Sequence, residues 1–141
     1  MSLFDKLLKL RHEQLNSNRV MKEISSFLAN EHKIYKYEDN GVTLLFAHAV
    51  IPGFFGSYRK VTGFVYNNQY IAHITFDQFY EGNDTCIYIG NFTYHKLSAG
   101  VPVSAPTISE HEKIVLPDAT FNMFLPRCVK SANKFTSKII D

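Results

Sequence analysis

The chain has no tryptophan, only two cysteines, and modest numbers of glycine (7) and proline (5) in its 141 residues. So few glycines and prolines exclude fibrous and low-complexity architectures. Cys86 and Cys128 lie far apart and form no CxxC pair, which fits neither a zinc knuckle nor a disulfide framework. Both fall in apolar-periodic stretches, where buried free thiols are expected. No apolar run reaches the roughly 20 residues of a membrane span, and Met1-Ser2-Leu3-Phe4-Asp5 opens no apolar signal segment. The expectation is a cytoplasmic, reducing location, in the protein's own cell or a host cell, with no membrane partner. A net charge of +2 creates no whole-protein field toward nucleic acid. Nucleophile elbows of the form GxSxG are missing, and Gly53 and Gly56 complete neither GxGxxG nor GxxxxGK. No cofactor is expected.

What the chain does have is aromatic mass, with twelve Phe and eight Tyr, within a composition that is 45% apolar and 20% charged. Each buried ring removes a large apolar area from water, so one well-packed domain over 1–141 needs no staple. Residues 2 to 32 read as helix in two pieces, with Leu3, Phe4, Leu7, Leu8 and Leu15 in the first. Asn16-Ser17-Asn18 interrupts them, and Val20, Met21, Ile24, Phe27 and Leu28 form the stripe of the second. From Tyr35 the period becomes that of strands. Asp39-Asn40-Gly41 signals a turn, Val42 to Ile51 is a strand, and Pro52 to Ser57 breaks it. Lys60 to Tyr66 and Tyr70 to Phe76 flank Asn67-Asn68-Gln69, a hairpin whose tip tolerates positive φ. Thr85 to His95 adds a strand after the Glu81-Gly82-Asn83-Asp84 turn. Residues 98 to 107 read as an extended loop, and Ile108 to Leu116 as a short strand or helical turn. Pro126 suits the first turn of a last helix, with Cys128, Val129, Ala132, Phe135 and Ile139 as its inner stripe. The fold expected is α+β, an antiparallel β-meander of four to six strands packed against N-terminal helices and a C-terminal helix.

Four residues are candidates for catalysis. His73-Ile74-Thr75 matches the HxT element of two-histidine phosphoesterases, in which His exchanges a proton with a ribose or leaving-group oxygen and Thr holds a phosphate oxygen. A second element would have to come from His95-Lys96-Leu97-Ser98, where the extra residue puts Ser98 on the opposite strand face from His95. His73, Thr75, His95 and Lys96 could also serve a small metal-independent ribonuclease. His48 is the third strand histidine, and His111 stands between Glu110 and Glu112. None shows a zinc-ligand spacing, and no metal is expected.

Two surfaces are candidates for binding. Arg127, Lys130, Lys134 and Lys138 recur at helical spacing, with no acidic residue between Ala119 and Ile140, which suits phosphates or an acidic protein patch. Phe54 and Phe55 stand in a glycine-bounded loop followed by Tyr58, Arg59 and Lys60, and rings beside cations mark protein hot spots or base-stacking platforms. Three functions follow in order. The first is a small non-enzymatic binding or regulatory module engaging a protein partner or a second copy, of the kind a virus or mobile element encodes as an accessory protein. The second is a nucleic-acid-binding protein using the basic helix and aromatic sheet. The third is the ribonuclease or phosphoesterase.

Overall fold

The computed structural model describes residues 19–30, 33–53, 56–81, 85–98, 101–103, 105–117 and 121–140. The first expected helical piece, with Leu3, Phe4, Leu7, Leu8 and Leu15, and the Asn16-Ser17-Asn18 interruption lie outside them. One helix, α1 (Arg19–Asn30), precedes seven strands: β1 (Tyr35–Asp39), β2 (Val42–Gly53), β3 (Gly56–Tyr66), β4 (Tyr70–Glu81), β5 (Thr85–Ser98), β6 (Val101–Pro102) and β7 (Ile108–Pro117). Helices α2 (Phe121–Lys134) and α3 (Thr136–Ile140) follow. The first five strands form an antiparallel meander, and β7 pairs with the free side of β5 from Thr85 to Tyr94. The two residues of β6 pair with Leu97 and Ser98 at the far end of β5. The segment 108–117 is thus a strand, and the fold is the α+β meander with terminal helices.

Turn chemistry sets the register. Asp39 pairs with Val42, and the two residues between them, Asn40 (φ 50°) and Gly41 (φ 77°), both take the positive φ of a type I′ hairpin. Pro52 does not end β2 in a broad break. Gly53 pairs with Gly56, which leaves a two-residue connection, Phe54 and Phe55, outside the described residues. The hairpin at Asn67 closes by another route than positive φ. Its side-chain Oδ1 accepts from the backbone N–H of Gln69 (2.7 Å) and of Tyr70 (3.1 Å), so an Asx turn replaces a left-handed residue.

Alternation then sorts side chains onto two faces. On the first, Val42, Leu44, Phe46, Val61, Val65, Tyr70, Ala72, Ile74, Phe76, Cys86, Tyr88, Phe92, Tyr94, Ile114 and Leu116 pack against α2 and α3. Cys86 and Cys128 are buried free thiols in this core. Helix α2 begins five residues before Pro126, so its inner stripe also holds Phe124 and Leu125. Pro126 costs only the bond to the Asn122 carbonyl, on a turn whose outer side faces solvent. Tyr94 donates its hydroxyl to the Ala132 carbonyl (3.2 Å) and Tyr70 to Asn133 Oδ1 (3.3 Å), so the rings stay buried with their polar ends satisfied. On the second face, Val20, Ile24 and Phe27 of α1 cover Leu45, Ala47, Phe64, Tyr66 and Ile71, with Phe27 edge-on to Phe64 at 5.3 Å.

Two strand glycines are demanded by close approach. A Cβ on Gly63 would fall on the Leu45 carbonyl oxygen and 2.7 Å from Phe46 Cα. One on Gly90 would fall on the Thr75 carbonyl oxygen and 2.7 Å from Phe76 Cα. Both stand on the α2 face, where missing side chains let paired strands coil tightly around the helix. Gly63→Ala and Gly90→Ala should each cost at least about 3 kcal/mol in chemical denaturation, because backbone must move. Gly41→Ala, which meets open space, should cost only the strain of its positive φ, about 1 kcal/mol. Equal losses at all three positions would contradict the close approach.

Candidate functional site

The histidines are separated by the parity of the register. His73 and His95 belong to the second face, as diagonal neighbours, since His73 pairs with Thr93 and Ile71 with His95. His48 belongs to the first, where its ring stacks on Tyr35 (5.0 Å) and meets Phe121 (5.1 Å). Thr75 shares the face of His73, whereas Lys96 lies one residue beyond His95 and points to the other side. The four catalytic candidates therefore divide three to one. His95 is 5% exposed and donates from Nδ1 to the Val103 carbonyl (2.9 Å), which places a proton on Nδ1. Among the described residues, no group of three or more His, Cys, Asp or Glu is arranged to hold a metal ion.

The second face changes character in rows as it leaves α1. Nearest the helix, a hollow of about 430 Å³ is lined by Lys22, Glu23, Ser26, Phe27, Phe64 and His73, among others. His73 stacks on Phe64 (5.1 Å). Burial holds its pKa below the ordinary histidine value, with Glu23 opposing the shift and His95 adding to it. The next row, Thr62–Thr75–Asn91–His111, crosses four strands as a polar belt, and His111 Nδ1 donates to Asn91 Oδ1 (3.1 Å). Then come Lys60, Asp77, Ile89 and Lys113 in register. Beyond them the face turns apolar again. Phe79 (50% exposed) and Val115 (42%) flank the buried Ile87 on adjacent strands.

The basic helix is less basic in place than along the chain. Lys134 pairs with Glu112 (3.1 Å) and Lys138 with Glu110 (3.2 Å), acids supplied by β7. Both lysines also lie over the Phe135 ring. Arg127 and Lys130 remain, exposed beside two hollows of about 520 and 420 Å³ that they share with Asn133.

Tyr58 and Arg59, neighbours in sequence, point to opposite faces. Arg59 donates from Nη1 to His48 Nδ1 (3.2 Å), and its guanidinium covers the Phe121 ring at 4.2 Å from the centroid. Its backbone N–H bonds to Oε1 of the buried Gln78, whose amide in turn donates to the Tyr88 hydroxyl and Cys86 Sγ, each at 3.0 Å. Burial lowers the pKa of His48, and the charges of Arg59 and Lys33 lower it further. The sequence alone places His48 on a strand but begins the next strand at Lys60, after Arg59; the register shows that both stand on strands and meet. Phe54 and Phe55, the other members of that predicted surface, lie outside the described residues.

Among the described residues no helix is long and apolar enough to cross a membrane. No protein-family model matches the chain, and neither does any curated protein or solved structure.

The two lowered histidines fix the sign of a pH dependence. Near pH 6.5 and below, the unfolded chain takes up protons that His48 and His73 refuse in the folded state. Stability should therefore be full above about pH 6.5 and fall as the pH drops toward the folded values. Denaturation midpoints of His73→Asn and His48→Asn between pH 8 and 5 should show a shallower fall than the parent. An unchanged slope in both would contradict the assignment.

Proposed function

We propose that this protein is a small non-enzymatic module that binds another protein through the end of the sheet face that α1 leaves bare. The observation that carries the reading is the row Phe79–Ile87–Val115, apolar and contiguous over three strands, with two of its three side chains largely exposed. Single exposed apolar residues are ordinary, whereas a contiguous row rimmed by charges is a feature of interfaces. Asp77, Lys60 and Lys113 form the rim in the adjoining row. A matching partner would carry an apolar patch with a basic group for Asp77 and an acidic one for Lys113. The placement of Lys96 on the face opposite His73, Thr75 and His95 speaks against the ribonuclease reading that uses all four. A cytoplasmic location and an accessory role in a virus or mobile element are part of the same proposal, resting on size and composition.

Phe79→Asp with Val115→Asp should abolish capture of the partner from native cells, with the melting temperature within a few degrees of the parent. Lys130→Glu with Lys134→Glu should leave capture intact. Retention of every partner by the Asp variant would overturn this surface, and a shift of the free protein to dimer that the same variant reverses would assign it to self-association instead.

Arg127 and Lys130, bordering two adjoining hollows without a carboxylate pair among the described residues, favour nucleic acid as the second reading. On that reading, retention on a nucleic-acid column should fall steeply with salt and vanish in Arg127→Glu with Lys130→Glu. No retention at low salt removes it.

A further inference from the structure

Arg59 has an unusual set of partners for a guanidinium that is half-buried in a sheet face. Its neighbours are a neutral acceptor, His48 Nδ1 at 3.2 Å, and the Phe121 ring at 4.2 Å. Its Nε is shielded from water and has no acceptor. The salt bridges among the described residues join Lys36 to Glu38, Lys134 to Glu112 and Lys138 to Glu110, and none involves Arg59. A charge that leaves water ordinarily comes with a counter-charge, because desolvation without one is costly. Among the described residues, Arg59 is thus a cation without a carboxylate partner.

The surroundings favour an anion from several directions. Because Arg59 can only donate, His48 Nδ1 accepts, and the neutral ring carries its proton on Nε2, a second donor on the same side of the sheet. Lys33 stands over the Tyr35 ring at 5.0 Å, and that ring stacks on His48 at 5.0 Å. Phe121 is the first residue of α2, a helix with no acidic residue in its first turn, so the positive end of its dipole is turned to this cluster. Gln78 holds the Arg59 backbone from below through Oε1. The donors are thereby preorganised rather than assembled on binding.

We propose that Arg59, with His48 and Lys33 beside it, forms a carboxylate-binding site at the N-terminal end of α2. With Nε shielded and Nη1 on His48, Nη2 is the guanidinium donor left to meet a carboxylate oxygen, and the planar delocalised charge stacks on Phe121 as an ammonium would not. The rings of Phe121, Tyr35 and Phe46 cluster around His48, and such aromatic surroundings favour an apolar-bodied carboxylate over a fully hydrated trivalent oxyanion. The site stands on the face opposite the Phe79–Ile87–Val115 row and is independent of it.

The probe is sodium benzoate, titrated into the 15N-labelled protein, with sodium phosphate and sodium chloride at matched ionic strength as separate arms. Benzoate should produce saturable shifts in the His48 ring nitrogens and the Arg59 Nε resonance, and should move the His48 midpoint up toward the ordinary value, since a bound anion offsets the field of Arg59 and Lys33. Arg59→Lys, which keeps the charge and loses the planar guanidinium with its bond to His48, should weaken benzoate by about tenfold or more. Lys33→Gln, on an exposed side chain, should weaken it by a smaller factor. No saturable response of the parent protein to benzoate overturns the site, and this titration decides the matter even where an Arg59 variant fails to fold. Saturation by phosphate but not by benzoate overturns the carboxylate assignment. Equal affinity of a folded Arg59→Lys protein overturns the role of the guanidinium.

Discussion

The structure depends on the close approach of strand backbones at Gly63 and Gly90. At both positions the space a Cβ would fill is taken by the neighbouring strand, and both lie on the face that wraps α2. With those two positions empty, long strands of eleven and fourteen residues can coil around one helix and bury Phe76, Tyr88, Phe92, Tyr94 and Phe124 almost completely. Burying each such ring is worth about 1.5–3 kcal/mol relative to leaving it in water. The cost is that the second face cannot be closed by the same helix. Among the described residues it receives α1 over the Phe64 end, and its other end carries a polar belt and then an exposed apolar row.

This inequality of the faces organises the chemistry. Groups on the α2 face are either satisfied within the core, like Gln78, Tyr70 and Tyr94, or held at its rim beside the first turn of α2, like Arg59 and His48. Groups on the α1 face meet solvent in the belt running from Thr62 to His111. Binding through the bare apolar row and an anion at Arg59 would therefore use opposite sides of one sheet. Each is supported by strands whose registers are pinned by hairpins at Asn40-Gly41 and Asn67.

Much of the fold was legible because it rests on local signals. Alternation marked the strands, Asp39-Asn40-Gly41 marked a turn, and Cys128, Val129, Ala132, Phe135 and Ile139 marked the helix stripe that the core uses. Face assignment was not legible, because it depends on the exact residue count of each turn, and a slip of one residue moves every side chain across the sheet. That is why His48 parts from His73 and His95, and why Lys96 parts from His95. The pairing of Lys134 and Lys138 was hidden for a related reason: their counter-charges, Glu112 and Glu110, come from a strand at the edge of the sheet rather than from the helix itself. The want of a carboxylate beside Arg59 among the described residues left no trace in sequence either, since pairing is a property of the folded neighbourhood.

Two separate cores on the two faces of one coiled sheet are the central claim, and side-chain NOEs test it directly. The Phe124 ring should show cross-peaks to Phe76 and Tyr88, and the Phe27 ring to Phe64, with none linking Phe27 to Phe124. Strong cross-peaks from both phenylalanines to the same strand residues would contradict it, because they would place the two helices on one face.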